Sequence, residues 1–176
     1  DMFSNKNRAF YNSAMLMNLD TIDHNHTVKF LNKQFAKDKI KISKEIAGHI
    51  IDTSNNVPYY IQFIAAEIWQ QVINKKETIK KSHVDNAIET MIELKSDYYW
   101  ELTNKQSNYR KKVLKALCTS SSGIYSREAT EKYNLGAIST THKAIATFVE
   151  EGIIEQFKNT YEFSDPIYKL FLLRYL

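Results

Sequence analysis

The chain has 176 residues, 43% hydrophobic and 25% charged, a balance that can bury one sizeable core or two small ones in a globular, water-soluble protein. Four glycines and two prolines are too few to punctuate a fold of many short strands, one cysteine excludes an intramolecular disulfide, and no apolar run is long enough to span a membrane. The formal charge is +4, and its excess lies in residues 104–176, which hold 11 Lys/Arg against 7 Asp/Glu, whereas residues 1–103 are balanced at 13 each.

These bounds predict a mainly helical protein in a reducing, cytoplasmic setting, with no membrane association. An anionic partner would meet the C-terminal part. Asp1-Met2-Phe3 enters in mid-element and no signal peptide is visible, so a larger parent protein is expected.

Asp23-His24-Asn25-His26 brings two imidazoles and a carboxylate close together, but no further ligands follow at a recognisable spacing, and a structural zinc wants four. The run predicts a solvated loop and no metal. From Thr27 onward Val28, Leu31 and Phe35 recur at helical spacing as far as Lys37-Asp38-Lys39. Ser43 caps a second helix carrying Ile46, Ala47, Ile50 and Ile51, which ends at Thr53-Ser54-Asn55-Asn56. His49 on it has no nucleophile nearby in sequence and reads as a partly buried or surface side chain.

Pro58 then opens the third helix, since proline lacks the N–H that a first turn would leave unpaired and its φ is already helical. Ile61, Ile64, Ala65, Ile68, Trp69 and Val72 keep an unbroken helical period behind it. The corner Asn55-Asn56-Val57-Pro58-Tyr59-Tyr60 has two readings: a well-made helix start, or a surface that touches a nucleotide. Ser82 and Asp85 predict the start of a fourth, long helix through Val84, Ala87, Ile88, Met91 and Ile92 toward Trp100. Four helices on short loops form a bundle.

After Leu102 the pattern changes. Helices are predicted from Lys105 to Cys118, with Tyr109, Val113 and Leu117 inward, through Arg127 to Tyr133, and from a Ser139 cap to Gly152. Cys118 reads as core. Two β-prone runs, residues 153–157 and 160–163, flank Lys158-Asn159 and predict a hairpin. Three helices and a hairpin make a winged helix. Asp165-Pro166 opens a last helix, with Leu170, Leu173 and Leu176 expected to pack back.

Lys105, Arg110, Lys111, Lys112 and Lys115 put five cations in eleven residues, with Lys105, Lys112 and Lys115 predicted on one helical face and Lys111 beside them. Such a stripe serves either as a solvated helix side or as a phosphate contact. The candidate recognition helix turns Ile145, Phe148 and Val149 inward and offers Thr140, Lys143, Thr147 and Glu150, with Thr141 and His142 at the edge. One lysine beside Glu150-Glu151 gives little for base readout, leaving backbone contact by the first helix and by Lys158 in the wing.

Met2-Phe3, Phe10-Tyr11, the run Val57 to Gln62, Trp100-Glu101-Leu102 to Gln106 and Phe163-Ser164-Asp165-Pro166 occur in an order and spacing that resemble the C-terminal portion of STAND-type AAA+ ATPases, the archaeal-type ATPase family. The resemblance implies the tail end of a nucleotide-binding domain in residues 1–23, a helical lid in 24–103 and a winged helix in 104–176. It implies that Val57, Pro58 and Tyr59 sit where a lid proline packs on adenine, with ATP or ADP the cofactor of the whole protein and the P-loop domain its partner. The chain departs from that family in having no G-x-x-x-x-G-K-[ST], so it is expected neither to hydrolyse ATP nor to bind it tightly alone. Nor is there a lid arginine for sensing, since Arg8 alone precedes Arg110.

The expectation is a mainly α chain, a lid bundle followed by a winged helix with a small hairpin, acting as the regulatory region of an ATP-dependent switch. The winged helix would serve protein interaction or autoinhibition; the alternative is a DNA-binding module. A free-standing helical enzyme has no paired carboxylates, activated nucleophile or ligand set to support it.

Overall fold

The computed structural model describes residues 22–75, 77–120, 122–158 and 160–176. The expectations for residues 1–21, Met2, Phe3, Arg8, Phe10 and Tyr11 among them, lie outside the described residues, as does Asn159.

Four helices come first: α1 (His24–Ala36), α2 (Lys44–Thr53), α3 (Pro58–Val72) and α4 (Lys81–Asn104). Then follow α5 (Asn108–Thr119), α6 (Arg127–Tyr133), α7 (Ile138–Glu150), the strands β1 (Ile154–Phe157) and β2 (Thr160–Phe163), and α8 (Pro166–Tyr175). The mainly helical class with one hairpin is as expected.

Most starts are set by side-chain caps. Ser43, Ser107 and Ser126 accept from the amides of Ile46, Arg110 and Ala129, each supplying an acceptor for an orphan first-turn donor. Asp23 does the same for His26 at 3.1 Å, so Asp23 to His26 is a helix start, still exposed, and not the expected loop. Helix α4 begins at Lys81, ahead of the expected Ser82, because His83 Nδ1 accepts from the Lys80 amide at 3.1 Å and closes the turn one step earlier. Helix α7 is preceded by Ala137 rather than capped by Ser139, which lies inside the first turn.

Two cores result. Leu31, Phe35, Ala47, Ile50, Ile64 and Ile68 form the first with Val84 and Ala87 of α4. The second gathers Val113, Leu114, Leu117, Phe148, Tyr168 and Phe171, together with Met91, Ile92 and Tyr99 farther along α4 and Tyr60 of α3. Helix α4 therefore runs through both, and its length matters for that reason.

The hairpin pairs antiparallel, Ile154 opposite Phe163 and Glu155 opposite Glu162. Its inward side buries Ile154, Tyr161 and Phe163, while the two glutamates face each other outside, a like-charge pair that favours an external partner for one of them.

Three inward assignments are corrected. Trp69 continues the α3 period but is 39% exposed, its Nε1 donating to Asp38 Oδ2 at 2.8 Å, since it stands at the edge of the stripe whose centre, Ile61, Ile64, Ile68 and Val72, is buried. Val149 is likewise exposed on α7. On α8 the buried residues are Ile167, Tyr168, Phe171 and Leu172; Leu170 and Leu176 pack back on the second core as expected, but Leu173 is 51% exposed, because the helix is wedged between α4 and α5 and turns a face centred on Tyr168 and Phe171 inward.

Gly152 ends α7 at φ +69°, a left-handed conformation that a Cβ disfavours. Gly152→Ala is expected to cost about 1 kcal/mol, read as a lowered urea midpoint with unchanged slope. Among the described residues no helix is long and apolar enough to cross a membrane.

Candidate functional site

The α2–α3 corner is built from two consecutive left-handed asparagines, Asn55 at φ +49° and Asn56 at φ +55°, residues that tolerate this conformation better than other non-glycines. The Asn56 amide donates to Ile51 O at 2.9 Å and the Val57 amide to Ser54 O at 3.0 Å, reversing the chain tightly. The Asn56 side chain reaches across to α1: its Nδ2 donates to Ile22 O at 2.6 Å, and its Oδ1 accepts from Thr27 at 3.5 Å. Val57 is extended, its carbonyl accepts from Ile61, and Pro58 occupies the first turn without any side-chain cap.

Pro58, Ile61 and Gln62 thereby share one face of α3, opposite Ile22, His26, Thr27 and Phe30 at the start of α1. Between them lies an apolar cleft of about 370 Å³, within the usual range for a small-molecule site. Phe30, Ile61 and Gln62 continue into a second groove, about 510 Å³, that ends at Trp69. Thr27 is committed to Asp23 O and Asn56, so Gln62 and His26 are the cleft's available polar groups.

Of the three corner residues named from the sequence, only Pro58 lines the cleft. Val57 packs on the second core, and Tyr59, 57% exposed, stands edge-on to Tyr60 at 5.0 Å on the other side of the helix. Phe30 and Ile22 were not legible as site residues. Phe30 is a large apolar side chain off the α1 stripe, 47% exposed, and that mismatch was the available signal.

The cationic stripe does not form as a stripe. Ser107 restarts the chain, so Lys105 closes α4 and pairs with Glu101 at 2.6 Å, and the hydrogen bond with its attendant charge raises the lysine pKa and lowers the glutamate's. Arg110 bridges Thr147 of α7 and Glu151 just beyond it, Lys111 donates to Asn104, and Lys115 donates to Leu176 O. Lys112, Lys143 and Lys158 are exposed, and their ammonium groups have no hydrogen-bond partner among the described residues. Thr140 is exposed, while Thr141, expected at an edge, is buried at 2% with its hydroxyl 2.9 Å from that of Tyr109. His142 stacks on Tyr125 with ring centroids 4.1 Å apart.

Among the described residues no group of three or more His, Cys, Asp or Glu is arranged to hold a metal ion. His49 is half-exposed, its Nε2 4.0 Å from Asp85 Oδ1. Cys118 is buried, which pushes its thiol up to about 12 against the partial offset of Lys169 and Lys115.

Three helices, a wing hairpin and a closing helix around one core correspond to a known family description: residues 97–174 match the probable winged helix domain. The C-terminal part is a winged helix. The match includes the end of α4 as well as α5 to α8, in keeping with a core that draws Tyr99 into the wing. Among solved structures the chain is similar to the Walker-type ATPase PABY2304 of Pyrococcus abyssi, with a TM-score of 0.65 and 12% identity. That likeness, one of fold, covers 97% of this chain and 47% of the other, so the chain spans about half the length of the ATPase. No curated protein matches the chain.

Proposed function

We propose that the chain is the lid and winged-helix region of an ATP-dependent switch protein of the STAND-type AAA+ class. The lid meets the adenine end of ATP or ADP held by a P-loop domain of the same protein, and the winged helix serves protein interaction or autoinhibition. The observation that carries this reading is the apolar cleft of about 370 Å³ at Pro58. Its Phe30 and Pro58 surfaces suit a flat base, and Gln62 and His26 suit a base edge. Hydrolysis belongs to the P-loop domain in this scheme, because the chain has no Walker A motif. The fold likeness to half of a Walker-type ATPase supports it.

The full-length protein, titrated with fluorescent ADP, is expected to lose about tenfold in affinity with Phe30→Ala or Pro58→Ala, a loss of about 1.4 kcal/mol. Unchanged affinity in both variants would overturn the reading. The upstream coding sequence is expected to hold Walker A and Walker B motifs.

The second reading, a DNA-binding module, is favoured by the exposed Lys112, Lys143 and Lys158. Against it, Lys105, Arg110, Lys111 and Lys115 are engaged within the fold, and the outer face of α7 carries Ile138, Val149 and Glu150. Random duplex DNA at low salt should not bind. Salt-sensitive binding that weakens with Lys112→Ala or Lys158→Ala would establish the alternative.

A further inference from the structure

The first turn of α3 and the start of α8 meet at one carboxylate. Asp165 Oδ1 accepts from the Ile167 and Tyr168 amides at 2.9 and 3.2 Å, capping α8. Its Oδ2 accepts from Lys95 Nζ at 3.0 Å and from the Tyr99 hydroxyl at 2.8 Å. Four donors therefore engage both oxygens. The same ammonium lies 5.5, 5.0 and 5.7 Å from the ring centroids of Tyr59, Tyr60 and Tyr99, within cation–π range of all three. Lys95 and Asp165 are only 27% and 22% exposed, so water screens the pair weakly.

Tyr60 is the residue that makes this arrangement directional. It is buried in the winged-helix core, while Ile61 and Ile64, next on the same helix, belong to the first core. A second tie flanks Pro58 on its other side, where Asn55 Nδ2 donates to Glu162 Oε2 of the wing at 2.8 Å. The corner is thus held to the winged helix before and after the proline.

We propose that Lys95 and Asp165 are positioning residues that couple the Pro58 corner to the winged helix, so that displacing the first turn of α3 shifts the capped end of α8, and the reverse. The ammonium cannot follow the Tyr59–Tyr60 rings away from α8 without leaving the partly buried Asp165 carboxylate without its counter-charge. Asp165 in turn cannot follow Lys95 without uncapping α8. What pushes the corner rests on the nucleotide reading above; the coupling itself operates, and is measured, without nucleotide.

The test is amide hydrogen exchange on the full chain, comparing wild type, Pro58→Ala, Lys95→Met and the double variant. Loosening the corner with Pro58→Ala is expected to speed exchange at the Ile167 and Tyr168 amides at least about fivefold, and the effect should vanish in the Lys95→Met background. Coupling is reciprocal, so Asp165→Asn should speed exchange at Ile61, whose amide donates to Val57 O. If Lys95→Met does not fold, Lys95→Gln takes its place, keeping a donor without the charge. Changes confined to α3 in Pro58→Ala, or an effect on α8 that persists unchanged without the ammonium, would overturn the coupling and leave the ADP titration standing separately.

Discussion

Phe148→Ala is expected to destabilise the protein by about 4 kcal/mol, a large part of the 5–15 kcal/mol that holds a domain of this size. Phe148 is fully buried on α7, in the core that also holds Val113, Leu114 and Leu117 of α5. Truncation to alanine removes apolar contact area, and the helices around it, pinned by α4 and α8, can collapse only partly into the space. Because the same core takes Tyr60 and Tyr99 from the helical bundle, the loss should lower a single urea transition, not detach the winged helix as a second one. Ile50→Ala in the first core provides the comparison, expected at about 2–5 kcal/mol and in the same transition. A cost below about 1 kcal/mol for Phe148→Ala would mean that the side chain is not enclosed as described.

The elements whose ends are chemically marked were legible in the sequence: Ser43 and Pro58 at helix starts, Gly152 at a helix end, Asp165-Pro166 before α8. Those marks work because a first turn needs acceptors for its amides and a last turn needs a residue that tolerates positive φ. What periodicity could not give was the neighbour. Trp69 continues the stripe of Ile61 and Ile68 and is exposed at its edge, where it bonds Asp38, while Val72 one turn farther on is buried. On α8 the period placed Leu170 and Leu176 against the core but also Leu173, which is exposed, and it missed Tyr168 and Phe171, because two helices, not one, receive that face.

The candidate site divides along the same line. Pro58 could be read from its own neighbours, whereas Ile22 and Phe30 line the cleft from the segment that the Asn56 side chain holds at Ile22 and Thr27, a tertiary tie with no local signature. Lys105, Lys112 and Lys115 were expected on one helical face, and a cap at Ser107 leaves Lys105 at the end of α4 and the other two on α5. Charge runs describe a surface only once the helix boundaries within them are known.

The clearest electrostatic consequence lies at high pH. Burial pushes the Tyr168 hydroxyl up to about 12 from an ordinary 10.0, and burial followed by the Asp165 charge raises Tyr99 and Tyr60 as well. Each of these groups stays protonated in the fold at pH values where the unfolded chain has released its proton, so the folded state binds more protons and stability falls as pH rises. The contribution is fully present below about pH 10, the unfolded value, and each group removes about 1.4 kcal/mol per pH unit above it until its own folded pKa is passed. Cys118, pushed up to about 12 from 9.0, begins the same decline one unit earlier. Urea unfolding between pH 8 and 11.5 should therefore give a plateau followed by a steep fall. Tyr168→Phe should flatten that fall by about 1.4 kcal/mol per unit, while losing at lower pH only the hydroxyl's contact with Thr103, about 1 kcal/mol. Every other titrating group is common to wild type and Tyr168→Phe, so the difference between the two curves isolates the tyrosine. A slope unchanged by Tyr168→Phe would mean that the hydroxyl meets water in the folded chain and is not enclosed between Thr103 and Phe171 as described.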